Sequence, residues 1–441
     1  MTIEDLRSAL PGATLAPGDD GWDAARLFHS GIGEPDAVAR PRSLADVQAA
    51  VRWAAASGTP VMVRGGGHSA WGEVPGGLTI DLAALDDIVV DGTLVHVGGG
   101  AVWGDVAQTL AGHGLGLSSG DTASVGVGGL TLGGGIGWMV RAWGLAADQL
   151  EGAQVVTASG DVVEVTEAEH PELLWALRGG GGNFGVVTRF DFRAHPLLSV
   201  VFATLGVDGE SRVILRSLRD LLADAPRELT VTFMDVPPMD PSAPPGATIT
   251  ACWIGGDEAS ARAVLAPLLR TPGVVERSLA ESGYPEILLE MPAYDPAQPM
   301  PGFVGGNTLT HDLSDETIDR LVAFREAHPV SVLFLRSLGG AYGDVASDAT
   351  AFAGREATWF AMAGAFDIPG MLEPDERAAA ETEWAAIEEL GVGVYGNFTT
   401  SIDPGWVPRM YPPATRARLV EVKRAWDPEN VFSRNHNVSP G

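Results

Sequence analysis

Cysteine and lysine are almost absent from this chain of 441 residues. Cys252 is the only cysteine, which excludes an intrachain disulfide, and its apolar, strand-like neighbours predict a small buried hydrophobe rather than a nucleophile. Lys423 is the only lysine, so the positive charge is carried almost entirely by arginine. The formal net charge of −29 argues against nucleic acid or an anionic membrane as a partner, because their phosphates would be repelled.

Long apolar runs are also missing, and no stretch of the sequence has the length and apolarity needed to cross a bilayer. The first residues, Met1 to Arg7, show no basic region followed by an apolar core. We therefore expect a cytoplasmic protein that binds no membrane. The nine histidines show no metal-ligand spacing with nearby carboxylates, so we expect no metal site. The oligomeric state is left open between a monomer and a homodimer.

Glycine is abundant, with 57 residues, and its distribution divides the chain. Through residue 196, strand and helix signals alternate at short intervals. They include a helix that begins at Ser43, with Asp46 three residues on, and a hairpin turn at Asp91-Gly92. From about Leu197 the glycine density falls and longer amphipathic helices appear. Length and a hydrophobic content of 45% predict two domains with substantial cores.

The second part of the chain predicts one sheet covered on one face by helices. Strands are expected near Leu229–Val236, Ala247–Ile254, Val330–Leu335 and Trp359–Phe366, and helices at Glu210–Ala225, Asp257–Leu269, Ser314–His328 and Pro374–Leu390. The proline-rich stretch 237–246 is expected to be a loop inside this region, because strands continue on both sides of it. A final helix is expected at Ala414–Trp426.

The segment Arg64–Ser69 contains three consecutive glycines followed by His68. Glycines let a backbone approach a bulky anionic ligand closely, because no Cβ stands in the way. Their amide protons can converge on a diphosphate. For an isolated histidine, a hydrogen-bonded core position is the more common case, but directly after such a cradle the position favours ligand contact. The pattern therefore predicts a dinucleotide cofactor held by backbone and touched by one imidazole.

A second glycine run extends from Val125 to Trp138, and a third glycine-rich turn, Gly181–Val187, enters a strand. A flexible linker would be rich in serine and poor in valine, leucine and isoleucine, which does not describe the second run. A Rossmann fingerprint would need a preceding strand, a following helix and an acidic residue about 20 positions on. The alternation of apolar residues and glycines predicts instead a backbone path around a large planar ligand.

Together these elements carry a resemblance to a known family. The motifs in chain order are Arg64–Ser69, Val125–Gly137, Gly144–Asp148, Arg178–Gly185, Tyr395–Phe398 and Asp427–Phe432. In this order they are similar to the berberine-bridge-enzyme-like FAD oxidases of the vanillyl-alcohol-oxidase superfamily, in particular the bacterial 6-hydroxy-D-nicotine-oxidase-like members. The resemblance extends over nearly the whole chain.

The resemblance implies an α+β fold with three parts. A two-part FAD-binding domain of the PCMH type is expected at 1–196, with subdomains of about 1–97 and 98–196. A substrate-binding domain with an antiparallel sheet covered by helices is expected at 197–394. A C-terminal segment, 395–441, is expected to return to the FAD-binding domain.

The resemblance also implies which residues bind FAD. His68 matches the histidine that is bonded to the 8α-methyl group of the isoalloxazine, Val186 is placed near the adenine, and Tyr395 and Asn397 match a Tyr-x-Asn element that returns to the cofactor. The full set of implied FAD-binding residues is Arg64, Gly65, Gly66, Gly67, His68, Ser69, Gly120, Thr122, Val125, Gly126, Gly128, Gly129, Gly133, Gly135, Gly137, Gly185, Val186, Tyr395 and Asn397.

Two positions depart from the pattern of many relatives. Thr122 stands where these relatives attach FAD a second time through a cysteine, so attachment through His68 alone is implied, with a more closed pocket. Leu130 stands where the same relatives often have a histidine. Val125 agrees with the small side chain that admits oxygen to the flavin in oxidase members, which favours an oxidase over a dehydrogenase.

The activity implied is that of an FAD-dependent oxidase that moves a hydride from an alcohol or amine C–H to flavin N5, with O2 as acceptor and H2O2 as product. The substrate is then a small molecule, either a secondary-metabolite intermediate or a small amine or alcohol for catabolism. Tyr395 and Tyr342 are the candidate general bases, because Phe398 stands where many plant relatives have a tyrosine. An amine that binds unprotonated needs no base. A dehydrogenase or oxidative cyclase with another acceptor, and a binding protein with a degenerate site, are the alternatives.

Overall fold

The computed structural model describes residues 1–69, 71, 74–237, 246–291, 294–295, 301–368 and 370–441. The N-terminal part builds a four-stranded sheet in the order β1-β2-β4-β3, in which β1 is antiparallel to β2 and the other pairs are parallel. Its elements are α1 (Ile3–Ala9), β1 (Thr14–Leu15), α2 (Trp22–Ala25), β2 (Ala37–Ala39), α3 (Leu44–Ser57), β3 (Val61–Arg64) and β4 (Leu78–Asp81).

Helix α3 begins where the sequence predicts. The Ser43 side chain accepts a hydrogen bond from the Asp46 amide, which satisfies one of the free N–H groups of the first turn. The Asp46 carboxylate accepts from the Arg42 amide rather than from that of Ser43, so only one half of a capping box forms. Gly58 ends the helix in the left-handed conformation.

The second sheet is antiparallel throughout, in the order β5-β6-β10-β8-β9, and the predicted β5–β6 hairpin forms with its turn at Gly92-Thr93, one residue beyond the predicted Asp91-Gly92. A short pair, β7 with β11, lies beside it. The elements of this part are β5 (Ile88–Asp91), β6 (Leu94–Gly98), α4 (Trp103–Ala111), β7 (Leu115–Gly116), α5 (Val127–Leu132), α6 (Val140–Trp143), β8 (Leu150–Val156), β9 (Val162–Thr166), α7 (Pro171–Leu177), β10 (Val186–Arg193) and β11 (His195–Pro196), with a 3-10 turn at Ala146–Gln149. The second glycine run thus begins as the short helix α5.

The third sheet has seven antiparallel strands in the order β15-β12-β14-β13-β17-β18-β16. Its strands are β12 (Val200–Val207), β13 (Leu229–Asp235), β14 (Ala247–Trp253), β15 (Val274–Ser282), β16 (Gly302–Thr310), β17 (Ser331–Ser337) and β18 (Trp359–Asp367). Its helices are α8 (Ser211–Asp224), α9 (Glu258–Leu269), α10 (Asp315–Ala327), α11 (Ala341–Asp344) and α12 (Pro374–Glu388), with a 3-10 turn at Tyr284–Ile287. The four predicted strands and four predicted helices are confirmed within a few residues, whereas most of the predicted loop 237–246 lies outside the described residues.

Three strands of this sheet have no counterpart in the sequence prediction. β15 is an edge strand whose side chains are mostly exposed, so it lacks the alternation of a half-buried strand. β16 contains three glycines, which are depleted in strands. β12 is apolar and rich in valine, a signal from which it could have been found.

The seven-stranded sheet has two different faces. On one face, helices α8, α9, α10 and α12 cover a core that includes Leu215, Phe233 and Trp384. On the other, Leu309 and Phe360 belong to a smaller core cluster with Ile136 of the second glycine run. The fold is therefore the expected α+β architecture, with an antiparallel sheet covered by helices on one side. No helix within the described ranges has the length and apolarity required to cross a bilayer.

The C-terminal part contains 3-10 turns at Gly396–Phe398 and Pro404–Trp406, then α13 (Val407–Met410) and α14 (Pro413–Trp426). Lys423, on α14, is fully buried. Its ammonium group donates to the carbonyls of Asn183 (2.8 Å) and Phe432 (3.0 Å) and to the carboxylate of Asp427 (2.6 Å). The one lysine of the chain thus joins the C-terminal tail to the third glycine-rich turn.

We predict that Lys423→Met lowers the free energy of unfolding by about 3–5 kcal/mol, because it leaves the buried Asp427 carboxylate without its cation. Denaturant unfolding of both proteins measures the loss. Arg416→Met on the same helix is the control, since Arg416 is exposed and should change stability by no more than about 0.5 kcal/mol. Equal stability of the two variants would contradict a role for the buried pair.

Candidate active site

A cavity of about 540 Å³ lies between the glycine-rich segments and the face of the seven-stranded sheet opposite α8, α9, α10 and α12. One wall is backbone from the three glycine-rich segments, and the opposite wall carries side chains of β17 and β18. The C-terminal residues Tyr395–Thr400 and Arg434–His436 complete the lining. This volume is within the usual range of small-molecule and cofactor sites.

The first two glycine runs lie against each other at one end of the cavity. A Cβ at Gly66 would overlap the amide nitrogen of Gly126 and lie 2.6 Å from the carbonyl oxygen of Ser124. A Cβ at Gly126 would in turn overlap the Gly66 amide, and Gly67 has a left-handed φ of 71°. Only glycine permits this approach of two backbones. At Gly129, by contrast, a Cβ would meet no atom within 4 Å, because this residue faces the open cavity.

His68 follows the first glycine run and lines the cavity. Its Nε2 is 2.9 Å from the Ser124 hydroxyl, and its ring stacks on that of His29 at a centroid distance of 3.6 Å. Burial lowers the pKa of His68 from 6.5 to about 4, and the neighbouring His29 acts in the same direction. The imidazole is therefore neutral at neutral pH and has a lone pair to offer as a nucleophile.

Tyr395 and Asn397 join the sheet to the second glycine run. The Tyr395 hydroxyl accepts hydrogen bonds from the amides of Gly135 (3.1 Å) and Ile136 (3.3 Å) and from Asn397 Nδ2 (2.9 Å). Burial raises the pKa of the Tyr395 phenol, although these three donors act in the opposite direction. On β16, the side chain of Asn307 both accepts from the Tyr395 amide and donates to its carbonyl, which holds the backbone at this point.

The structure brings most of the predicted FAD-binding residues to one cavity. Those that line it are Arg64, Gly65, Gly66, Gly67, His68, Ser69, Gly120, Thr122, Val125, Gly126, Gly128, Gly129, Gly133, Gly185, Tyr395 and Asn397.

Three predicted FAD-binding residues lie elsewhere. Successive side chains of a strand point to opposite faces, so Val186 is fully buried in the core behind the cavity and Val187 lines it instead. Gly135 contributes its amide to Tyr395, and Gly137 packs so closely on the Ser119 carbonyl that no Cβ would fit there. These two glycines support the cavity wall from behind.

Tyr342, the second candidate base, is not brought to the cavity. It is fully buried, and its hydroxyl donates to the Gly354 carbonyl at 2.7 Å. Burial also raises its pKa far above the usual value for a tyrosine. We therefore assign Tyr342 to the protein core and not to the chemistry.

Several cavity residues were missed by the sequence reasoning. Arg336 of β17 is buried, with its Nη2 donating to Asp121 at 2.7 Å and its Nε to Thr232 at 3.0 Å. Its guanidinium lies 4.6 Å from the Trp138 ring centroid. A single arginine in the apolar strand β17 was the signal that could have found it, because a charge there requires a partner. Phe334, Phe360 and Phe398 carry no such signal, since apolar strand residues are usually core.

The residues at the cavity fit a dinucleotide cofactor. The glycine cradle presents backbone where a Cβ would obstruct a large ligand, and the open space at Gly129 adjoins it. Arg434 Nε, Asn435 Oδ1 and His436 Nδ1 are buried polar atoms without a hydrogen-bond partner among the described residues, as expected where a polar ligand supplies the partner. Within the same ranges, no group of three or more histidine, cysteine, aspartate or glutamate side chains is placed to hold a metal ion.

Comparison with known proteins is consistent with this geometry. The family described as FAD binding domain matches residues 35–166, and the family described as berberine and berberine like matches residues 394–439. The (R)-6-hydroxynicotine oxidase of Paenarthrobacter nicotinovorans is 29% identical over 98% of this chain and 97% of its own length. An uncharacterised FAD-linked oxidoreductase of Bacillus subtilis is 30% identical over 92% of this chain and 91% of its own length.

A solved structure of an FAD-containing oxidase also matches this chain. A glucooligosaccharide oxidase of Acremonium strictum, described with a 6-S-cysteinyl, 8α-N1-histidyl FAD, matches with a TM-score of 0.85 at 26% identity and covers 99% of both chains.

Alanine at Gly129 is predicted to separate cofactor binding from folding. Because its methyl group projects into the cavity, Gly129→Ala should weaken FAD binding at least tenfold, about 1.4 kcal/mol, and leave the stability of the FAD-free protein unchanged. Gly66→Ala should lower both the affinity for FAD and the stability of the FAD-free protein, since its Cβ would overlap the backbone of Gly126. FAD titration and denaturant unfolding measure the two effects.

The control for this pair is Gly112→Ala, at the end of α4 and outside the cavity lining. It should alter neither FAD binding nor stability appreciably. Wild-type affinity for FAD in Gly129→Ala would show that the cofactor does not occupy this part of the cavity.

Proposed function

Because this chain belongs to the berberine-bridge-enzyme-like family of FAD-linked oxidoreductases, we propose that it is an oxidase of a small amine or alcohol that uses O2 as the electron acceptor. The observation that carries the proposal is one cavity in which His68 and the glycine cradle face a wall of aromatic side chains. Bound FAD supplies hydride acceptance at its N5 and reoxidation by O2 to H2O2. The protein supplies binding, orientation and exclusion of water.

FAD is attached through His68 alone in this proposal. Thr122 offers no thiol at the cavity, and Cys252, the only cysteine, is buried in β14, where burial raises the pKa of its thiol to about 12. The Nε2 of His68 is engaged by Ser124, which leaves Nδ1 as the nitrogen that bonds to the 8α carbon. The backbone of Gly65–Gly67, Gly126 and Gly128 accommodates the diphosphate, and the polar atoms of Arg434–His436 face the same cavity.

The substrate side of the cavity is apolar. Phe334, Phe360 and Phe398 form a cluster with ring-centroid separations of 5.8, 6.5 and 5.1 Å, and Phe398 stacks on Tyr395 at 5.6 Å. A buried oligosaccharide would need a hydrogen-bond partner for each hydroxyl, and such a wall supplies few. A substrate with its own apolar ring fits better, which favours the type of substrate named for the 6-hydroxynicotine oxidase over that of the glucooligosaccharide oxidase.

The titratable side chains at the cavity favour an amine that binds in its neutral form. Asp121 is the one acid among the described lining residues, and it is paired with Arg336. Tyr395 keeps its phenolic proton at neutral pH, because burial raises its pKa. With no unpaired carboxylate at the aromatic wall, a neutral amine is the donor that requires no base. The guanidinium N–H groups of Arg336 provide a hydrogen bond for an acceptor oxygen elsewhere on the substrate.

Two further expectations from the sequence, the cytoplasmic location and the monomeric or homodimeric state, stay predictions.

Acid precipitation of the purified protein tests the attachment. The flavin should remain with the wild-type pellet, whereas His68→Ala should release all of it, because the proposal attaches the flavin through His68 alone. His113→Ala, which removes an exposed histidine, is the matched control and should retain the flavin. A yellow supernatant from wild type would exclude covalent attachment.

Peroxide release across a panel of donors tests the reaction. Ring-bearing secondary amines should produce H2O2, with a lower KM when the ring carries a hydroxyl or carbonyl oxygen, and oligosaccharides should not. The value of kcat/KM should rise with pH through the pKa of the amine, since the neutral form is the substrate. Turnover with artificial dyes but without peroxide would identify a dehydrogenase or cyclase, and oligosaccharide turnover would overturn the substrate class.

A further inference from the structure

The face of His68 is covered by a second histidine that the sequence motifs do not include. His29 lies in the loop after α2, and its ring stacks on that of His68 with an interplanar angle of 24° and centroids 3.6 Å apart. His29 is half-buried and, among the described residues, does not line the cavity. It therefore supports His68 from behind without facing the cofactor space.

The backbone around His29 is tied to the His68 loop on both sides. The His29 amide donates to the Gly67 carbonyl at 2.9 Å, and the Ser30 hydroxyl donates to the Ser69 carbonyl at 2.9 Å. These hydrogen bonds hold the backbone of His29 next to the loop that carries His68, and so maintain the separation of the two stacked rings. A ring held in this way limits rotation of the His68 imidazole about its side-chain bonds.

Ser124 restrains the same imidazole at its edge. The hydrogen bond at Nε2 and the stack against the ring face act in different directions, so together they fix both the plane and the rotation of the ring. Burial lowers the pKa of both histidines, so both are neutral at neutral pH and the stack carries no charge repulsion. The remaining nitrogen, Nδ1, is then held in one orientation.

We propose that His29 is a positioning residue for the covalent attachment of FAD to His68. This inference rests on the attachment included in the proposed function. A nucleophile held near its attack geometry reacts faster than one that samples several rotamers, so the stack accelerates bond formation. His29 itself exchanges no proton and forms no bond in the step.

The step balances with O2 as the oxidant. A bond forms between His68 Nδ1 and the 8α carbon, while the imidazole N–H and one methyl C–H are broken. The two hydrogens and two electrons released reduce the flavin, and O2 accepts them as H2O2 when the flavin is reoxidised. Before the step Nε2–H donates to Ser124 and Nδ1 has the lone pair; afterwards His68 is an N-substituted imidazole whose Nε2 has lost its proton and accepts from the Ser124 hydroxyl.

The test uses full-length protein produced without flavin and then mixed with FAD in air. The rate of covalent incorporation is followed by flavin fluorescence of the denatured polypeptide, and non-covalent FAD affinity and unfolding are measured in parallel. His29→Ala should slow incorporation at least tenfold at unchanged FAD affinity. His29→Phe, which restores an aromatic face, should return the rate to within about threefold of wild type.

His195→Ala is the matched control, because His195 also stacks on an aromatic ring, that of Trp143, outside the cavity lining. It should incorporate FAD at the wild-type rate. Should His29→Ala fail to fold, His29→Leu replaces it, since leucine restores volume without a ring face.

Wild-type incorporation rates in His29→Ala or His29→Leu would overturn the role of His29 and leave the proposed function intact. A rate in His29→Phe as slow as that in His29→Ala would also overturn the stacking role. If wild type binds FAD but never forms the bond, the attachment to His68 is itself wrong, and this inference fails with it.

Discussion

The contact between two side-chain-free backbones is the constraint on which the rest of the site depends. Gly66 and Gly126 approach so closely that a Cβ on either would overlap the other's amide. This contact sets the position of the loop that carries His68 relative to Ser124 and the start of α5. Because glycine alone tolerates the approach, the position of the imidazole and the shape of the cofactor cradle have the same cause.

The sheet side of the cavity is held to this cradle by polar contacts, with apolar packing around them. Tyr395 reaches the amides of the second glycine run, and Asn307 of β16 holds the Tyr395 backbone at both its amide and its carbonyl. Around them, rings of the sheet pack in the same cluster as Ile136 and Leu145. Satisfied buried polar groups specify one arrangement, since an alternative packing would leave them unpaired. The proposed hydride transfer needs this precision, because donor and acceptor must be held in contact.

The acidic residues that give the chain its net charge of −29 are nearly absent from the described cavity lining. Among the described lining residues, Asp121 is the one acid, and Arg336 neutralises it. The surface charge thus keeps the molecule away from polyanions while the cavity presents aromatic faces and a few directed donors. Such a site selects by shape and by the placement of hydrogen bonds, which suits a small ring-bearing substrate better than a charged one.

The amino-acid sequence by itself determined the family, the cofactor class and most of the glycines that line the cavity. The glycine runs and the histidine that follows the first of them are contiguous motifs, so they can be recognised without the tertiary structure. It also determined the longer helices and apolar strands, whose periodicity is local. Only the tertiary structure decided that Val187 and not Val186 faces the cavity, that Tyr342 belongs to the core, and that Arg336 and His29 approach the site. Strand register and contacts between residues far apart in sequence decide these placements, and they arise from the packing of whole elements.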